Sequence, residues 1–252
     1  MPVAKGDFVL IDYTTRIKET GEFFDTTSAE EAKKGNIYRE STRYEPMLVV
    51  VGEGWVLKAL DDSLVGLEVE TPTTIEIPPE QAFGARDPAK IRMIPASRFR
   101  RQDIKPYPGA QIEVDGRPAV VRSVGAGRVQ VDFNPPLAGK TLVYDLTIKS
   151  VLTERDDKVK ALTHRRIPNV DVEKFRITLS DKDVTIEVPE EALYLEGIQA
   201  AKRGLASDIQ RFFSEVERTV FTEVFSKEEV PTAPSLPQPV PEAASEDTQA
   251  AP

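Results

Sequence analysis

The side chains able to do chemistry in this sequence are few, and their types narrow the reaction. The 252 residues contain no cysteine and one histidine, His164. That excludes a thiolate nucleophile, a disulfide framework and a thiolate zinc site, and a lone histidine builds neither a histidine metal site nor a serine–histidine pair. His164 stands beside Arg165 and Arg166 and reads as a polar linker residue. The distinctive carboxylate is Asp25, behind the aromatics Phe23 and Phe24 and ahead of Thr26 and Thr27. A carboxylate so placed either caps a turn or stands at the edge of an apolar pocket. Tyr13 and Tyr144 each fall on the apolar side of an alternating run and therefore face inward. Singly, Tyr13, Phe24 and Tyr144 read better as core aromatics than as functional residues. No nucleophile, metal or cofactor motif accompanies them.

The elements that must position these residues are legible from periodicity. From Asp7 a strand carries Val9, Ile11, Tyr13 and Ile17 on one face, with a turn near 18–22 before the extended piece 23–27. A second strand has Met47, Val49 and Val51 on one side and is broken by Gly52 and Gly54. Val56, Leu57, Leu60 and Leu64 then recur at helical spacing, and Gly66 stands where a helix stops. Thr73, Ile75 and Ile77 alternate until Pro78 and Pro79 end the strand. Between 86 and 134 the pattern changes to short β runs separated by Asp115-Gly116 and by Gly125-Ala126-Gly127. A clean strand follows, with Leu142, Tyr144, Leu146 and Ile148 on one face. A β unit lying between two pieces of one sheet predicts a domain inserted into a loop of its host. Residues 154–166 are polar and read as a linker. The third unit, 167–228, is predicted as a hairpin followed by one long helix opening at Pro189-Glu190 and running toward Phe213. The stretch 216–225 fits a helix through Val216, Val220 and Val224, or a strand through its β-branched and aromatic content, and the strand is preferred. Residues 229–252, rich in Pro, Ala and Ser, read as a disordered tail.

In this order the pieces resemble the FKBP family of peptidyl-prolyl cis/trans isomerases, in the long archaeal form whose flap carries an insert, as in the SlyD type. The matching landmarks are Tyr13; Phe24-Asp25-Thr26-Thr27; Met47 to Gly52; Trp55 to Asp62; Ala82-Phe83-Gly84; and Leu142-Val143-Tyr144-Asp145, with Leu137-Ala138-Gly139-Lys140 as in the SlyD-like branch. The resemblance implies an α+β protein. An antiparallel FKBP-like domain with a short helix would span 1–85 plus 135–153, a small inserted β domain 86–134, and a C-terminal α+β domain 167–228. It also implies an isomerase that accelerates proline-limited folding with no cofactor and no metal. Tyr13, Phe24, Asp25 and Tyr144 would be its catalytic residues, and Met47, Val56, Leu57, Leu60, Ala82 and Phe83 would contact substrate. Two positions depart from the pattern. Phe83 stands where the family often has Tyr, removing a hydroxyl that can bond a substrate carbonyl, and Leu60 stands where it often has Trp, leaving a roomier floor.

By the same resemblance the insert binds unfolded polypeptide containing X-Pro bonds, through Ile91, Met93, Ile94 and Phe99. Those four residues read equally as the insert's own core. A non-catalytic holdase or assembly chaperone with a vestigial pocket is the alternative function. The net charge of −9 argues against nucleic acid as a partner. From Arg86 to Asp132, however, ten basic residues stand against five acidic ones, a local excess of five positive charges. The longest apolar runs are far short of the roughly 20 residues that span a bilayer, so no membrane association and a cytoplasmic location are expected. Leu193, Leu195, Ile198, Leu205, Ile209, Phe212, Phe213, Val220, Phe221, Val224 and Phe225 are more apolar surface than a hairpin and a helix can cover. That predicts a homodimer through the C-terminal domain.

Overall fold

The computed structural model describes residues 2–101 and 104–225. The stretch read as a disordered tail lies outside them. In chain order, β1 (Phe8–Ile17), β2 (Phe23–Thr26), α1 (Ala29–Lys34), β3 (Met47–Val50), α2 (Lys58–Leu64) and β4 (Thr73–Ile77) precede the insert. The insert holds β5 (Ile91–Pro95), α3 (Ala96–Arg101), β6 (Gln111–Val114), β7 (Arg117–Gly125) and β8 (Arg128–Asp132). The long strand β9 (Leu142–Leu152) then returns to the first sheet. After it come α4 (Arg155–Arg166), β10 (Arg176–Leu179), β11 (Asp183–Val188), α5 (Glu190–Leu193), α6 (Ile198–Phe212) and β12 (Arg218–Glu223).

The first sheet runs β2-β1-β9-β4 with every pairing antiparallel, and β3 also pairs with β1. One edge of β1 is thus shared by two half-strands: β3 lies against Phe8 to Ile11 and β2 against Thr14 to Arg16. Asp12 and Tyr13 stand at the gap between them. The inward set Val9, Ile11, Ile17, Leu142, Tyr144, Leu146 and Ile148 is buried with Leu60 and Leu64 of α2. Alternation on β1 and β9 therefore decides which side chains meet the helix. On the opposite face of β9, Asp145 receives Arg16 from β1 and the hydroxyl of Thr74 from β4, at 2.8 Å for the latter, fastening three strands across the sheet.

The insert is a four-stranded antiparallel sheet, β5-β8-β7-β6, together with α3, an element its β-only sequence pattern did not announce. It has its own core around Phe99, Val121, Val129 and Val131. Its two ends are clamped where they leave the host. Asn134 exchanges bonds of 2.9 Å with the Asp87 amide and carbonyl, and the Gly139 amide donates to the Gly84 carbonyl at 2.8 Å. Beside them the buried Asp132 pairs with Arg86 and accepts from the Asn134 amide at 2.9 Å. Burial works against its charge, yet Arg86 and Asn134 hold its carboxyl below the ordinary carboxylate value.

Three expectations for the C-terminal part need correction. Residues 155–166 are no linker but the helix α4, with Asp156 and Asp157 in its first turn and His164, Arg165 and Arg166 in its last, matching the helix dipole. Its mean composition is polar because the buried stripe is narrow: Val159, Leu162 and Thr163 are buried, Ala161 packs beside them, and Asp157 and Arg165 are exposed. The single long helix is two, α5 and α6, because Gly197 at φ 77° turns the backbone into a left-handed conformation that a residue with a Cβ resists. The large apolar surplus is also mostly absorbed internally. Leu205, Ile209 and Phe213 are buried, and Leu193, Leu195, Phe212 and Phe221 pack around the same core. That core takes in Phe8, Leu48 and Val50 from the outer face of the first sheet. The stretch 216–225 forms the strand β12, parallel to β11.

Candidate functional site

Tyr13 and Asp25 are brought together by the pairing of β1 with β2. The Tyr13 hydroxyl donates to Asp25 Oδ2 at 2.7 Å, and the Thr26 amide donates to Asp25 Oδ1 at 2.9 Å. The two threonines that follow lock this corner. Thr27 Oγ1 accepts from the Tyr13 amide at 3.0 Å, and the Thr26 hydroxyl donates to the Tyr13 carbonyl at 3.0 Å. Tyr144 comes from the neighbouring β9, its ring centroid 5.9 Å from that of Tyr13. Burial, reinforced by the bonded carboxylate of Asp25, pushes the Tyr13 phenol far above its ordinary value, and burial pushes Tyr144 up as well. Both phenols stay neutral at physiological pH, so Tyr13 remains a donor and no phenolate forms.

The other expected pocket residues surround this pair. Met47, Val56, Leu57 and Ala82 are half-buried against the inward core, and Leu60 is buried beneath them as the floor. Phe24 and Phe83 are 45 % and 41 % exposed and meet edge to face at 6.4 Å. Large apolar rings left open to water as a pair form a lip, not a core. Tyr13, Asp25 and Met47 line a mostly apolar cavity of about 300 Å³. It can desolvate a small apolar group and present oriented dipoles to it.

Asp61 was missed by sequence reasoning. This buried carboxylate on α2 accepts from the amides of Gly52 and Gly54 at 2.8 and 2.9 Å, fixing the turn that delivers Val56 and Leu57 to the pocket. No local signal marked it: the left-handed backbone of Gly52 and Gly54, at φ 87° and 68°, that turns their amides toward Asp61 exists only in the folded turn. His164, read as bland, bonds Glu45 at 2.7 Å across the domain boundary.

In the insert the four expected client-binding residues divide. Phe99 is completely buried and Ile94 nearly so, both in the insert's core, because a unit this small needs every large apolar group it has. They do not form a client surface. Ile91 is half-buried, whereas Met93 is 52 % exposed. Tyr107 and Val124, not singled out by sequence, are also exposed.

Comparison with known proteins agrees with this architecture. Residues 92–137 match the family model described as FKBP26, IF domain, and residues 155–226 match the one described as FKBP26_C-terminal. A short-type peptidyl-prolyl cis-trans isomerase of Methanocaldococcus jannaschii is 36 % identical over 149 residues, 59 % of this chain and 94 % of the relative. A probable FKBP-type 16 kDa peptidyl-prolyl cis-trans isomerase of Pseudomonas fluorescens is 35 % identical over 112 residues, 42 % of this chain and 73 % of the relative. SlyD of Treponema pallidum, also named as an FKBP-type isomerase, is 29 % identical over 175 residues, 66 % of this chain and 87 % of its own length.

Proposed function

We propose, for a chain that belongs to the FKBP-type peptidyl-prolyl cis/trans isomerases in the long form with an insert in the flap, that isomerisation runs in the pocket walled by Tyr13, Phe24, Asp25 and Tyr144. The observation that carries this reading is the meeting of Tyr13, Asp25 and Tyr144, delivered side by side from three neighbouring strands. Isomerisation breaks no covalent bond. The barrier is resonance, and about 18 to 20 kcal/mol must be supplied to twist the partly double C–N bond. A planar amide is charge-separated and best solvated by water, whereas the twisted state has lost part of that separation. Transfer of the prolyl ring into a dry aromatic pocket therefore favours the twisted state.

The fixed dipoles at the rim complete the task. Asp25, held by both oxygens, and the Tyr13 hydroxyl keep their orientation while the carbonyl swings, so no reorganisation accompanies the crossing. Lowering the barrier by about 4 to 6 kcal/mol amounts to an acceleration on the order of a thousand- to ten-thousandfold. Phe83 offers no hydroxyl to a substrate carbonyl, so tight binding of macrolide inhibitors suffers more than turnover.

The insert is assigned the binding of unfolded client beside the pocket, through exposed Met93, Tyr107 and Val124 among its basic residues. A tethered binding surface raises the local concentration of proline bonds at the catalytic site. The C-terminal domain is assigned the pairing of two copies, along the open edge of β12 where Val220, Val224 and Phe225 stay exposed. The central test is refolding of a proline-limited protein substrate with the native chain and with Asp25→Ala. Loss of acceleration is expected, and full acceleration by the variant would end the pocket assignment.

A further inference from the structure

The turn that leads into α2 is built from Gly52-Glu53-Gly54-Trp55, two glycines with left-handed backbone alternating with two large side chains. Asp61 ties the glycine amides to α2. Glycine backbone has more freedom than any other, so those ties alone leave the turn room to shift. The surroundings of the Glu53 and Trp55 side chains therefore decide where the next two residues, Val56 and Leu57, come to rest.

Both side chains are held by the C-terminal domain. The Arg165 guanidinium, from the last turn of α4, lies over the Trp55 indole with its carbon 3.8 Å from the ring centroid. Phe212, at the end of α6, meets the indole edge to face at 5.7 Å and meets Phe8 of β1 in the same way at 5.3 Å. Arg211 forms an ion pair with Glu53 and also stands over the Phe212 ring. Arg166, next to Arg165, is engaged elsewhere, by Asp208 at 2.6 and 2.8 Å. The turn thus straddles two cores. Trp55 packs on the one that the C-terminal domain shares with the sheet, whereas Val56 and Leu57 pack on the inward one with Tyr13 and Leu60. Consecutive Cα atoms stand about 3.8 Å apart across a planar peptide, so a shift of Trp55 is passed directly to Val56.

We propose that Trp55 is a positioning residue for the isomerase: Arg165, Phe212 and Arg211 hold its turn, and through that turn the C-terminal domain sets where Val56 and Leu57 meet the substrate. The proposal rests on the pocket reading above. It gives α4 and α6 a part in turnover that is separate from their part in stability.

The test uses the full chain and kcat and KM measured on a short prolyl peptide. Trp55 belongs to the shared core, so the variants are placed on the exposed arginines that hold it. Arg165 also lines the cavity beside Tyr13 and Asp25, which Arg211 does not, so Arg211→Ala is made alone and together with Arg165→Ala. The double variant is expected to lose about threefold to tenfold in kcat, below the roughly hundredfold that a full ångström of misplacement can cost. Its KM should stay within about twofold, because a displaced wall is felt most in the twisted state. Arg211→Ala alone should show a smaller loss of the same kind. Trp55 is the single tryptophan of the chain, and its emission in the double variant should move to longer wavelength as the indole gains water. Arg166→Ala, which breaks the Asp208 pair on the same helix without touching Trp55, is expected to lower the melting temperature and leave kcat native. Native kcat in the double variant, a loss confined to variants of Arg165, a change in KM alone, an unmoved emission, or an equal loss in Arg166→Ala would each overturn the positioning role. Asp25→Ala in parallel separates the two readings. Native turnover in that variant removes the pocket itself, whereas a slow Asp25→Ala beside a fast double variant removes the positioning role alone.

Discussion

Asp25 combines exposure with fixed orientation, and that combination makes it the residue whose loss is most informative. Its two oxygens are taken by Tyr13 and by the Thr26 amide, so Asp25→Ala removes a charge and also frees the Tyr13 hydroxyl. We expect kcat/KM on short prolyl peptides to fall about tenfold to a hundredfold, at or below the usual cost of losing one oriented polar group at a reacting centre. Tyr144→Leu should have a comparable effect while circular dichroism stays native; wild-type turnover in both variants would dismiss these roles. The sequence made Tyr13, Asp25 and Tyr144 legible because strand alternation and a carboxylate in an aromatic run are local signals. Asp61 and the His164–Glu45 bond were not legible, since each depends on backbone amides or side chains that only folding brings near. Residues 45 and 164 carry no mark that they meet.

The insert has its own sheet and core, and its two ends meet at the Asn134 clamp. Deleting 86–134 and closing the gap with a short loop is therefore expected to leave tetrapeptide turnover within about twofold. Catalysed refolding of a protein substrate should fall by about tenfold or more, the loss of local concentration that follows from removing a tethered binding surface. Equal losses on both substrates would show that the insert shapes the pocket instead. The clamp also predicts a pH dependence. Asp132 has its carboxyl held below the unfolded value of 3.8, so its contribution is fully present above that pH and is lost as the pH falls through the lower folded value. Asp132→Ala should cost about 2 to 3 kcal/mol at neutral pH, at or just below the range for a broken buried pair because Arg86 is partly exposed. The gap between variant and native melting temperatures should narrow on acidification below 3.8; a gap that widens there would refute it. The insert's β runs were visible from their Gly turns. The α3 helix and the burial of Phe99 were not, because six residues carry too little periodicity to announce a helix.

The C-terminal domain and the isomerase sheet share one core, so the molecule is less modular than its sequence suggests. A chain ended at Thr153 would uncover Phe8, Leu48 and Val50, all buried beneath α4 and α6. It should melt well below the native chain or aggregate; a truncated chain as stable as the native one would mean that the shared core contributes little. Sedimentation of the native chain at micromolar concentration tests pairing along β12: a dimer is expected, and a monomer would end that assignment. The polar average of 154–166 concealed this arrangement, because a three-residue apolar stripe vanishes in a composition count although it seats the whole domain. The shared core also sets a timetable for biosynthesis. β1 leaves the ribosome some two hundred residues before Phe213, so its outer face stays bare until that much more chain has been made. The insert, whose core closes within 94–133, completes that core long before. During translation the module proposed to bind clients thus hangs finished beside its own unfinished host, and the first unfolded polypeptide within its reach is the chain that carries it.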